Sequence, residues 1–174
     1  MIPLLAILSA VFSLAYGSWL THHPANHSKT AVKAIPVACL WAIAVLADAP
    51  LFVSLALMCG VIGDIALSRD GSRNFLIGLG AFLVGHLCYI SLFIGAGEVA
   101  TWSDPLRLLV SALIAVIGAG VFWHLRSGFG HLTLPVLAYV AVSIGLGWAA
   151  MGLLPSWPLG LALIGALLFL ASDV

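Results

Sequence analysis

Val61-Ile62-Gly63-Asp64-Ile65-Ala66-Leu67 places a carboxylate inside an apolar run long enough to cross a bilayer. An ionised Asp in that setting is costly, so it is present to be paired or to be used. A second carboxylate, Asp173, lies in a similar run near the end of the chain. The other elements are expected to position these two groups.

The surrounding composition fixes the solvent. Of 174 residues, 63% are hydrophobic and 7% charged, against roughly 25% charged in a soluble domain. So few charges cannot cover a water-facing surface, and the chain reads as an integral membrane protein. Its formal net charge is zero, which gives no basic surface for nucleic acid. Cys39, Cys59 and Cys88 all lie in apolar runs without ligand-like spacing and read as free thiols. The first apolar segment has no preceding Lys or Arg, and Tyr16-Gly17-Ser18-Trp19 is a poor cleavage site, so it reads as a retained helix.

A spanning helix needs about 20 apolar residues. Runs of that kind, separated by polar or Pro/Gly turns, fall at 2–20, 32–47, 51–68, 75–96, 105–125, 131–153 and 158–174. The fold class is therefore all-α, a polytopic transmembrane helix bundle forming a single integral membrane domain over 1–174. Seven helices are visible. The last run ends at Ser172-Asp173-Val174 without a polar flank, so a further C-terminal helix is expected beyond it.

Basic residues favour the cytoplasmic side. Lys29 and Lys33 flank the first loop, Arg69 and Arg73 the third, and Arg126 the fifth; only Arg107, just inside the fifth helix, departs from the pattern. The N-terminus is thus placed outside and the odd-numbered loops in the cytoplasm, as in a bacterial inner membrane. Depths follow from this topology. Asp64 precedes Arg69 by five residues, about 7 Å at the helical rise. Asp173 lies near the inner end of the seventh helix, Lys33 opens the second from the inside, and Tyr139 is about two turns into the sixth. These four share the cytoplasmic half. His86 is deeper, with Tyr89 three residues on and on the same face.

Each of these residues has two readings. Asp64 and Asp173 suit a proton-handling pair that divides acid and base roles; they equally suit hydrogen bonding between helices, or pairing with Lys33. Lys33 suits a lipid phosphate, the tuning of an Asp, or a snorkelling anchor at the interface. His86 with Tyr89 suits substrate orientation or proton relay, or a buried His satisfied by a backbone carbonyl. Tyr139, one turn after Pro135, suits a pocket donor or a packed aromatic. His22, His23 and His27 lie in a polar loop without Cys or carboxylate, a poor metal donor set.

Several segments carry a resemblance. They are Lys33-Ala34-Ile35-Pro36; Gly63-Asp64 with a polar turn after it; Phe75-x-x-Gly78-x-x-x-Phe82-x-x-x-His86-x-x-Tyr89; Pro135-x-x-x-Tyr139; and Gly165-Ala166-x-x-Phe169-x-x-Ser172-Asp173. In order and spacing, over nearly the whole chain, they resemble the YhhN-like membrane proteins, the lysoplasmalogenase family. That resemblance implies about eight helices and hydrolysis of the vinyl ether bond of lysoplasmalogen to a fatty aldehyde and a glycerophospho-headgroup. Vinyl ether hydrolysis needs a positioned acid and an anion to stabilise an oxocarbenium ion, which two carboxyl groups supply. Asp64 and Asp173 are then the acid/base pair. Lys33 meets the phosphate, and His86, Tyr89 and Tyr139 shape the pocket. The partner is a lysophospholipid within the bilayer, and no metal or organic cofactor is implied.

Two other classes compete. A small proton-coupled transporter also uses intramembrane Asp, His and Tyr, but places them near the midplane. A non-catalytic lipid-binding membrane protein would tolerate Asp64→Asn and Asp173→Asn.

Overall fold

The computed structural model describes residues 1–20, 26–96, 105–153, 161, 164 and 165. The described chain is all-helical, with no strand among those residues. In order it forms α1 (Ile2–Ala15), α2 (His27–Leu46), α3 (Leu51–Leu67), α4 (Ser72–Ala96), α5 (Pro105–Phe129) and α6 (Thr133–Met151). A π-helical turn, Tyr16–Leu20, extends α1, and a 3-10 turn, Gly130–Leu132, joins α5 to α6. The expected seventh helix falls largely outside the described residues.

α4 starts at Ser72 rather than at residue 75, and two further boundaries differ more. α2 starts at His27 rather than at residue 32. Asn26 is the reason: its side-chain oxygen accepts from the Lys29 backbone N–H at 2.7 Å, and its carbonyl accepts from Thr30 N–H at 3.1 Å. A capped polar first turn is a helix start even though it is not an apolar run. α5 continues through the expected loop at 126–130 to Phe129. The break comes where Gly130 takes φ of +52°, in the left-handed region open to glycine.

α2 and α4, and the segment Gly130–Met151, are long and apolar enough to cross a membrane. Ile2–Ser18, Leu51–Leu67 and Leu108–His124 are apolar but shorter. Large apolar side chains stand exposed along these helices, Leu4, Ile7, Val11 and Leu14 on α1 among them. Such surfaces suit lipid, not water, and the protein is an integral membrane protein.

The chain divides into two compact units, residues 1–88 and 89–174. In the first, α1 packs on α2 and α2 on α3. α3 and the first part of α4 approach closely through glycines. A Cβ on Gly63 would come within 2.6 Å of the Phe82 ring, and one on Gly78 within 2.5 Å of Leu67. Close approach through small residues is how helices gain contact in a bilayer, where apolar burial between helices gives no net drive. In the second unit α5 packs on α6. Its core is Phe93, Leu146, Ala149, Ala150 and Leu153, with Tyr89, Ile90 and Leu92 against it.

Candidate active site

The site is built from the α1–α2–α3 corner of the first unit. Because α2 begins at His27, Lys33 is six residues into it, about 9 Å along the axis. Asp64 is five residues before Arg69, about 7 Å from that end. Neighbouring helices that run in opposite directions bring these two depths level. The Lys33 ammonium lies 3.5 Å from Asp64 Oδ1, with 22% and 13% of the two side chains exposed. Lys33 is therefore not at the mouth of α2 but nearly two turns in, and its charge is set against Asp64. Of the roles open to it, the geometry matches the one directed at an Asp.

Neighbouring polar contacts hold the helices in this register. Ser68, one turn after Asp64, closes the end of α3 with its N–H donated to the Asp64 carbonyl at 3.1 Å. Its hydroxyl lies 2.7 Å from Thr30 Oγ1 and 2.8 Å from the Ile65 carbonyl, so its one proton serves either. Thr30 in turn donates to the Asn26 carbonyl at 3.1 Å. On the other side of α2, buried Ser9 of α1 donates to the Pro36 carbonyl at 3.1 Å. The ion pair thus sits between two interhelical hydrogen bonds.

Tyr16 completes the corner and was not singled out from the sequence. Lys33 Nζ lies 6.0 Å from the centre of its ring, at the outer reach of a cation–π contact. The ring is presented by the π-helical turn, a local geometry that often marks functional positions. The available signal was depth: Tyr16 is four residues before the expected end of its helix, about 6 Å, level with Asp64.

His86 is buried in the first unit, and its Nδ1 lies 2.6 Å from the Phe82 carbonyl. A carbonyl only accepts, so Nδ1 carries the proton and donates. Nδ1 is thus satisfied by the backbone of its own helix, which fixes the ring orientation, while Nε2 is buried. Tyr89 and Tyr139 belong to the second unit. Tyr89 stacks on Phe93 with ring centres 6.0 Å apart and planes at 28°, so its ring is part of that unit's packing. Tyr139 is half-buried on α6. Asp173 lies outside the described residues. The three cysteines are free, with Cys39 buried. Of the expected set, the structure brings Lys33 and Asp64 together, and adds Tyr16.

Lysoplasmalogenases of Mycobacterium bovis and Mycobacterium tuberculosis are each 38% identical to the chain over 127 residues, covering 68% of it and 45% of their own length. Lysoplasmalogenase TMEM86B of Mus musculus is 29% identical over 167 residues, covering 92% of the chain and 67% of the mouse protein. The chain thus spans less than half the length of the mycobacterial relatives it matches. No solved structure matches it. Residues 28–174 match the profile of the YhhN family, a stretch that takes in both partners of the ion pair, and the chain belongs to that family.

Proposed function

We propose that the protein is a membrane hydrolase that cleaves the vinyl ether bond of lysoplasmalogen. One observation carries the reading: a Lys–Asp pair, mostly shielded, between helices of an integral membrane protein whose relatives bear the name lysoplasmalogenase. Intramembrane ionisable groups are rare, and they mark working positions.

The chemistry asks for little else. An acid delivers a proton to the alkenyl carbon one bond removed from the ether-bearing carbon, which leaves an oxocarbenium ion. A carboxylate stabilises that cation, and a base removes a proton from the water that attacks it. The resulting hemiacetal breaks into the fatty aldehyde and the free glycerol hydroxyl. Asp64 and Asp173 take the acid and base roles in this proposal. Lys33 orients the Asp64 carboxyl, and Tyr16 bounds the position of the ammonium. His86, Tyr89 and Tyr139 serve the lysophospholipid pocket. A single-chain lipid reaches such a site from the bilayer, with its ether bond near headgroup depth. The basic residues at 29, 33, 69 and 73 support an N-terminus outside and the Asp64 end of α3 in the cytoplasm, in a bacterial inner membrane.

The test uses the purified protein in detergent with a lysoplasmalogen and its saturated alkyl counterpart. Protonation at carbon requires the double bond. Aldehyde is expected from the first lipid and none from the second. A folded protein that releases no aldehyde from either contradicts the proposal.

A further inference from the structure

A second feature of the α2–α3 pair is separate from the Lys33–Asp64 site. On another face of the same two helices lies an open cavity of about 360 Å³. Its long wall is apolar: Ala31, Ala34 and Ala38 from α2, Val61 and Ile65 from α3. Its two ionisable residues, His27 and Arg69, come from one end of the pair, the start of α2 and the turn after α3. From His27 to Ala38 the groove follows α2 for about 16 Å. Lys33 and Asp64 do not line it. Thr30 does, but its hydroxyl is engaged with Asn26 and Ser68. Among the described residues no carboxylate pairs with Arg69, which is exposed.

We propose that this groove is a phospholipid site, with the lipid phosphate held by Arg69 and His27 and one chain laid along the apolar wall. The charge pattern selects the occupant. Over most of its length the groove offers nothing to water, so a lipid chain suits it. At one end it offers a guanidinium and an imidazole at headgroup level, and cationic pockets between helices at that depth take phosphate headgroups. A lipid with net negative charge is held more tightly than a zwitterionic one, because no second positive group on the headgroup opposes Arg69. The site stands independently of the hydrolase reading, since it shares no residue with the ion pair.

The experiment is native mass spectrometry of the full chain released from detergent containing phosphatidylglycerol or phosphatidylcholine. Wild type is expected to retain one phosphatidylglycerol, about fivefold more strongly than phosphatidylcholine, the factor for one cation near a headgroup. Arg69→Gln, in an exposed turn, should bring that ratio close to unity. Ala31→Phe, at an exposed position on the wall, should lose the retained lipid of either kind. An unchanged ratio in Arg69→Gln together with undiminished retention in Ala31→Phe overturns the proposal. Inorganic phosphate that displaces the lipid from wild type as completely as added phosphatidylglycerol does would also overturn it, because the chain would then contribute nothing.

Discussion

The two units of this chain are held together by different means. In the first, polar contacts join helices beside the glycine packing of α3 on α4: Ser9 to the Pro36 carbonyl, Ser68 to Thr30, and Lys33 to Asp64. In the second, the core is apolar, closed by Ala149 and Ala150 with 1% and 0% exposure and by Leu146 and Leu153. Packed small and aliphatic residues are enough to join helices in a membrane. The first unit therefore does not need a charge pair to fold, and a charge pair is a costly way to join helices. The contrast singles out Lys33 and Asp64, an ionisable pair kept between helices where packing alone would serve.

The largest expected effect is on catalysis. Asp64→Asn should lower aldehyde release by about 10²- to 10⁴-fold, the range for loss of a positioned acid or base. Next comes stability. Lys33→Met leaves Asp64 without its counterion and should destabilise the protein by about 3 kcal/mol, read from unfolding in mixed detergent and dodecyl sulfate. Adding Asp64→Asn to Lys33→Met should recover most of that loss, while activity stays absent. In the second unit Ala150→Leu should cost about 2 kcal/mol by overpacking. It should leave the turnover of the folded fraction near that of wild type, so stability and activity part company there. Smaller still, Ser68→Ala should cost about 0.6 kcal/mol, the average for an interhelical hydrogen bond in a membrane. Comparable losses of turnover from Ala150→Leu and Asp64→Asn would erase the distinction between the units.

Much of this was legible in the sequence, and for identifiable reasons. The apolar runs gave the helices, because their length is set by the bilayer and not by subtle propensity. Asp64 stood out because a carboxylate in such a run is expensive. The depth of Asp64 could be counted from Arg69, since the end of α3 is marked by a polar turn. Lys33 was harder to place. Residues 27 to 31 are polar and did not read as part of a spanning helix, so Lys33 seemed to open α2. The Asn26 cap moves the helix start upstream and carries Lys33 inward to the level of Asp64. Tyr16 was missed because its partner is on another helix, and no spacing within α1 points to it. The glycines of the Gly63 and Gly78 positions were readable as packing sites, but which ring or side chain fills the space, Phe82 and Leu67, depends on helix rotation and not on sequence. Which contacts are polar and which apolar within each unit was not legible either, since both are built from runs of the same composition.

Asp64, paired with Lys33, is the residue proposed here to do the chemistry. That role is tested most directly by aldehyde release from lysoplasmalogen, measured side by side for purified wild type and Asp64→Asn matched for folded protein. Aldehyde from wild type with at least a hundredfold less from Asp64→Asn is the result expected here. Equal release from both would contradict the account and leave the ion pair as a structural tie between α2 and α3.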